Sequence, residues 1–282
     1  MQLIRSATQM ARLSQRLQRQ GKRIGVVPTM GALHDGHGSL IRAAAAQNDV
    51  VIVTVFVNPL QFGPREDFRR YPRNLLRDMR LARAAGAQII FAPAAPAIYP
   101  EGFQPRIEAG PLAARWEGRA RPGHFRGVAT VVTILFEITR PTHAYFGQKD
   151  YQQARIIQQL VRNLQLPVTV HVLPTLREPD GLAMSSRNAY LIASERAQAV
   201  AIFRALATAK TRIRAGERRS ARLIAEMRRI IGQQPSARID YLALVDAKTL
   251  EPQRRLHGRV AILAAVWIGR TRLIDNLLVD VS

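Results

Sequence analysis

Short apolar runs rich in β-branched residues alternate with helical patterns over the first two-thirds of the chain. The runs at 24–27, 50–57, 88–91, 144–146 and 168–173 have the length and composition of buried strands. Between them, the stretches 39–47, 74–85, 129–138 and 151–164 repeat their apolar positions at helical spacing. Ahead of the first run, Met10, Leu13 and Leu17 share one helical face, and Ser6 stands where an N-cap belongs. Buried strands separated by helices predict a parallel, doubly wound α/β sheet, whose ligands bind beyond the carboxyl ends of the strands.

After about Asp180 the pattern changes. Two helical stretches, 194–214 and 220–231, precede three strand-like runs at 239–245, 260–268 and 271–279. Helices followed by consecutive strands predict a smaller α+β module with an antiparallel sheet and a hairpin turn near Gly269-Arg270-Thr271. The segment from Pro174 to Gly181 marks the boundary.

Composition narrows this picture without changing it. A chain of 282 residues, 47% hydrophobic and 22% charged, can bury one large core or two modest ones. The absence of cysteine excludes disulfides and fits a reducing compartment. The apolar run 260–268 is about half the length a membrane helix needs, so a membrane is not expected as a partner. The N-terminus is Arg-rich and free of acids before Asp35, as in a transit peptide, but a first amphipathic helix explains it equally well and is preferred.

The net charge of +22 raises nucleic acid as a partner. Lysine occurs only at Lys22, Lys149, Lys210 and Lys248, so the charge is almost all arginine in an alanine-rich chain, a compositional bias. The densest basic segment, 212–229, has apolar residues at helical spacing and reads as a helix with a solvated basic face. No zinc-finger spacing and no aromatic RNA-binding strand accompanies it, so nucleic-acid binding is not expected.

Chemistry concentrates at the ends of strands. In the segment Met30-Gly31-Ala32-Leu33-His34-Asp35-Gly36-His37, two histidines three residues apart stand between a strand and a helix. Both imidazoles can face one ligand, the helix start favours phosphate, and the glycines let backbone approach it. A helix cap and half of a metal site fit the same spacing, the metal less well with six histidines and no cysteine. Asn58-Pro59-Leu60-Gln61-Phe62-Gly63 follows the strongest strand; Gln61 can donate to and accept from a substrate, while Asn, Pro and Gly alone spell a turn. Gly147-Gln148-Lys149-Asp150 and Gln153 stand at another strand-to-helix junction, as phosphate and ribose ligands or as a helix cap beside a solvated lysine. Met184-Ser185-Ser186-Arg187 offers hydroxyls, N–H groups and a guanidinium for phosphate, or a capping serine at a linker.

Taken together, these four segments and the Arg177-Glu178-x-Asp180-Gly181 lead-in resemble the pantoate–β-alanine ligase family. The resemblance is carried by motifs as far as about residue 192, and beyond that by length and pattern only. It implies a Rossmann-like nucleotide- and pantoate-binding domain over residues 1–176. A C-terminal α+β lid domain over 177–282 would close over ATP. It further implies a cytoplasmic homodimer that uses ATP and Mg2+ to join pantoate and β-alanine through a pantoyl adenylate, releasing AMP and pyrophosphate.

The resemblance implies residue roles as well. Met30, Gly31, Ala32, Leu33, His34, Asp35, Gly36 and His37 wrap the triphosphate. His34, His37 and Lys149 act on the phosphates, with His37 able to donate a proton. Gly147, Gln148 and Asp150 lie at the nucleotide, with Gly147 and Asp150 at the ribose. The backbone of Leu176 meets adenine, and Met184, Ser185, Ser186 and Arg187 form a second phosphate signature. Gln61 contacts pantoate and β-alanine, and Gln153 contacts pantoate; no metal ligand is assigned. Asp35, Gly38, Gln148 and Pro179 replace the commoner Glu, Leu, Glu and Ala of the family, and none removes a proposed ligand side chain. His124, in Arg121-Pro122-Gly123-His124-Phe125, matches a family stretch and is expected to be structural.

Overall fold

In the computed structural model, which describes residues 1–64, 66–104 and 106–281, the chain divides into two compact units. One comprises Met1–Gly147 and Gln152–Pro174; the other comprises Gln148–Tyr151 and the chain from Thr175 onward.

The first unit is built on six parallel strands: β1 (Gln2–Ile4), β2 (Ile24–Thr29), β3 (Val50–Val55), β4 (Ile89–Phe91), β5 (His143–Gly147) and β6 (Thr169–Leu173). Their order is β1-β4-β3-β2-β5-β6, and every neighbouring pair is parallel. The helices are α1 (Ala7–Arg19), α2 (Asp35–Gln47), α3 (Leu75–Ala84), the short α4 (Ala95–Ile98) and α5 (Glu117–Ala120), α6 (His124–Thr139) and α7 (Tyr151–Asn163), whose first residue belongs to the second unit.

Alternation along the strands divides the core between the two sheet faces. Val26, Ile52 and Phe146 pack with Met10 of α1, Val132 and Phe136 of α6 and Ile157 of α7. Their neighbours Val27, Val53 and Tyr145 pack with Ile41 and Ala44 of α2 and Ala82 of α3. Strands buried on both faces show no polar alternation, which is why they read as unbroken apolar runs. The order turns back at β2, which pairs β3 on one side and β5 on the other. Ligands of doubly wound sheets bind at such a switch point, and β2 ends where Met30–His37 begins.

Three departures from the pattern reading stand out in the first unit. Strand β1 is an edge strand of three residues, too short for a periodicity to show. Helix α2 starts at Asp35 rather than residue 39, because His34 caps it. Helix α6 starts at His124 rather than residue 129, after Gly123 in the left-handed region at φ 83°.

The second unit holds the helices α8 (Ala193–Arg214) and α9 (Ser220–Gly232) and the antiparallel sheet β7 (Ala237–Asp246), β8 (Gly258–Ile268) and β9 (Thr271–Val281), in that order. Leu206 and Ile213 of α8, Met227 and Ile231 of α9, and Leu244, Ile262 and Val266 of the sheet form its core. Gly269 and Arg270 make the two-residue turn between β8 and β9, with Gly269 at φ 54°, the left-handed conformation such hairpins require. Among the described residues, no helix is long and apolar enough to cross a membrane.

Candidate active site

His34 is the N-cap of α2, and the cap is reciprocal. Its Nδ1 accepts the Gly36 N–H at 3.2 Å, and Nδ1 of His37 accepts the His34 N–H at 3.3 Å. The rings lie 4.2 Å apart between centroids. The spacing allowed a cap or a ligand site, and the structure makes the cap with one edge of each ring. An Nδ1 that accepts places the proton of a neutral imidazole on Nε2, so the other edge of each ring is a hydrogen-bond donor. Donors, rather than bases, suit phosphate oxygens.

The loop before the cap is tied inward. Gly31 N–H donates to Thr29 Oγ1 at 3.1 Å, and Ala32 and Leu33 N–H donate to the two carboxylate oxygens of Asp78 at 3.1 and 2.7 Å. Ala32 is a non-glycine residue at φ 51°, so the carboxylate holds a turn that most side chains disfavour. The need for glycine at residue 31 is local as well: φ is 82°, and a Cβ would lie 2.9 Å from Asp78 Oδ2. These three N–H groups therefore have partners within the chain. Burial raises the Asp78 pKa above the usual carboxylate value, and the two backbone donors offset that only in part. Residue spacing carried no signal for Asp78.

Gln61 ends the 3-10 turn Pro59–Gln61 that follows β3. Asn58 is almost fully buried and orders it. Its Oδ1 accepts from Leu60 N–H at 3.2 Å and the Tyr99 hydroxyl at 2.7 Å; its Nδ2 donates to Gln61 Oε1 at 3.0 Å and Gly127 O at 3.1 Å. With Oε1 accepting from Asn58, Nε2 of Gln61 points to Met30 Sδ at 3.1 Å. The turn reading of Asn58–Gly63 is what the structure shows, and Gln61 stands at its end. Gly127 lets α6 approach, since a Cβ there would fall 2.2 Å from Leu60 O.

His124 is the second support of Gln61. It lies 3.0 Å from Arg121 Nη1, which can only donate, so Nε2 accepts and Nδ1–H donates to Gln61 O at 2.8 Å. Burial, followed by the charge of Arg121, lowers its pKa to about 4, and the ring is neutral. Arg121 in turn forms a bidentate pair with Glu66 at 2.8 and 2.6 Å. Burial opposes the Glu66 charge, but the Arg121 hydrogen bond and charge hold its pKa below the ordinary value. Gln153, half-buried on the first turn of α7, takes no part in this network, whereas the neighbouring Gln152 is bound to Glu117 N–H and the carbonyls of Leu112 and Arg115.

In the second unit, Gln148–Asp150 forms a 3-10 turn in which Lys149 Nζ lies 3.6 Å from Asp150. Ser185 caps the 3-10 turn Ser186–Tyr190, its Oγ accepting the Arg187 N–H at 3.3 Å. Met184 N–H bonds Leu176 O at 3.0 Å, bringing those two together. Lys149 and Ser185 line one small cavity with Leu182, Ala183, Asn188 and Asp275. Two motifs far apart in the chain are thereby brought together.

Residues 2–278 match the model of the pantoate-beta-alanine ligase family. The chain belongs to this family. It is 52% identical over 263 residues to the pantothenate synthetase of Moorella thermoacetica, covering 93% of each chain. The fold matches the crystal structure of pantothenate synthetase from Thermus thermophilus with a TM-score of 0.93 and 44% identity, over 98% of this chain and 99% of that one. A pantoate-beta-alanine ligase from Francisella tularensis, solved in complex with beta-gamma ATP and beta-alanine, matches at a TM-score of 0.80 and 36% identity, over 99% and 97%.

Proposed function

We propose that this protein condenses pantoate with β-alanine through a pantoyl adenylate, using ATP and releasing AMP and pyrophosphate. One observation carries the reading beyond family membership: the amide of Gln61 touches Met30, the first residue of the segment that ends in His37. An acid can be adenylated only where its carboxylate meets the α-phosphate, and this contact joins the residue assigned to pantoate to the segment assigned to phosphate. The complex of the Francisella relative with a nucleotide and beta-alanine supports the same substrates.

In the first half-reaction a pantoate carboxylate oxygen attacks the α-phosphorus and the bond to pyrophosphate breaks. The carboxylate is ionised at neutral pH, so the step requires no general base. It requires alignment and neutralisation of developing charge. His34 and His37 donate through Nε2 to phosphate oxygens, and Lys149, Ser185, Ser186 and Arg187 add donors and positive charge. Gly147 and Asp150 meet the ribose, and the backbone of Leu176 meets adenine. Gln61 and Gln153 hold pantoate. In the second half-reaction the neutral amine of β-alanine, placed beside Gln61, attacks the acyl carbonyl, and AMP leaves with the bridging oxygen.

Mg2+ would enter with the triphosphate and supply positive charge at its oxygens, beside that of Lys149 and Arg187. Among the described residues no group of three or more His, Cys, Asp or Glu converges to hold a metal ion. The protein works as a cytoplasmic homodimer, and its arginines serve no nucleic acid. Exchange of labelled pyrophosphate into ATP, with β-alanine left out, tests the adenylation. Exchange that depends on pantoate is expected, and exchange without pantoate, or none with it, would overturn the proposal.

A further inference from the structure

Two segments of the second unit, 148–150 and 182–187, carry the residues assigned to the nucleotide. The first is fastened directly, and the second through Arg177, to one pair of buried side chains on β9, Asp275 and Asn276, which are 5% and 2% exposed. Nδ2 of Asn276 donates to the carbonyls of Gln148 and Lys149, each at 2.9 Å, while its Oδ1 accepts from Gln148 Nε2 at 3.1 Å. The two carbonyls fix which way the amide faces, and the side-chain amide of Gln148 then satisfies the remaining oxygen.

Asp275 does the equivalent for the other segment. It binds Arg177 through two hydrogen bonds of 2.7 and 2.9 Å. Arg177 lies over the Phe203 ring at 4.4 Å and donates to Gly181 O at 3.0 Å and Asn276 O at 3.3 Å. Arg177 faces Ala183 in a short antiparallel bridge made by the flanking bonds Met184 N–H to Leu176 O at 3.0 Å and Glu178 N–H to Leu182 O at 2.8 Å, directly before Ser185. Asp275 also accepts its neighbour's N–H at 2.7 Å, so the two β9 residues are held to each other. Buried, fully paired polar groups of this kind specify one arrangement, because any shift leaves a partner unsatisfied.

We infer that Asp275 and Asn276 are positioning residues for ATP, which hold Lys149 and the Met184–Arg187 segment in one fixed spacing. This rests on the assignment of those residues to the nucleotide. Both act through other residues, Asn276 through the backbone of 148–149 and Asp275 through Arg177. Their removal would loosen the spacing of the phosphate donors while leaving Gln61 and its supports in the first unit untouched.

The test is titration calorimetry of the full chain with a non-hydrolysable ATP analogue plus Mg2+, and separately with pantoate. Asn276→Ala removes both donations to the 148–149 carbonyls and is expected to weaken ATP binding about tenfold, the worth of one or two such hydrogen bonds. Pantoate binding should stay within about twofold, and the KM for ATP should rise with kcat at saturating ATP nearly unchanged. Should Asn276→Ala not fold, Asn276→Ser and Asp275→Asn make the same test. Asp240→Ala, which breaks the exposed Arg272 pair in the same sheet, controls for loosening and should leave ATP binding unchanged. If Lys149→Ala weakens ATP binding and folded Asn276→Ala does not, or if Asn276→Ala weakens ATP and pantoate alike, the positioning role is wrong and the site assignment survives. If Lys149→Ala also leaves ATP binding unchanged, the assignment fails and this inference fails with it.

Discussion

Gln61 in the first unit is held mainly by two groups that carry no charge, the Asn58 amide at 3.0 Å and the neutral imidazole of His124 at 2.8 Å, with a longer bond of 3.4 Å from Arg121. The 177–188 loop of the second unit is held by guanidinium–carboxylate pairs, Arg177 with Asp275 and Arg196 with Glu178 and Asp180. The difference is chemical rather than decorative. A neutral network fails when one of its members takes up a proton. A charged network fails when one partner is removed and the other stays buried, and its exposed pairs weaken with salt.

The largest effect should come from breaking the buried pair. Arg177→Met leaves Asp275 buried without its counter-charge and is expected to lower stability by about 3 kcal/mol or more. Urea unfolding measures it, and a loss below about 1 kcal/mol, the range of exposed pairs, would erase the contrast between the two networks.

Acid should act next, and on the other unit. Above pH 6.5 His124 is neutral whether the chain is folded or not, and it adds nothing to pH dependence. Between pH 6.5 and about 4 the unfolded chain takes up the proton and the native chain resists it. Stability therefore falls as pH drops through that window, by up to about 3 kcal/mol, and levels off below it. Denaturation at about pH 7.5 and about pH 5 compares wild type with His124→Gln, which cannot titrate there. Equal losses in the two proteins would contradict the neutral-histidine reading.

A smaller effect separates positioning from stability within the first unit. Asp78→Asn keeps one acceptor for the loop but turns the other oxygen into a donor facing a backbone N–H. A loss of about 2 kcal/mol is expected, the penalty for an unsatisfied buried group. Pantoate-dependent exchange should fall further than stability does, because the same loop leads into the His34 cap. Full exchange activity in the folded variant would show that the loop tolerates the change.

Much of this architecture was legible along the chain, for identifiable reasons. Strands buried on both faces leave unbroken apolar runs, and the long helices of both units carry clear periodicity. The His34–His37 spacing announced a shared face, and Lys149 and Ser185 were marked by their motifs. What the spacing left open was whether His34 caps the helix; its extended backbone at φ −138° and its Nδ1 bond make it the cap, with one edge of the ring. The supports were not legible, because they reach across the fold. Asp78 meets Leu33 across 45 positions, His124 meets Gln61 across 63, and Arg177 meets Asp275 across 98. Helix α6 was read short for the same reason: Gly123 and Gly127 look like loop residues until one is seen to begin the helix and the other to let it approach Leu60.

The adenylate itself can be read from a single isotope. With pantoate labelled by heavy oxygen in its carboxylate, one turnover with ATP and β-alanine should deliver one labelled oxygen to AMP, since the attacking carboxylate oxygen leaves on the α-phosphorus. AMP without label, or label appearing in pyrophosphate, would contradict attack by the acid on the α-phosphate.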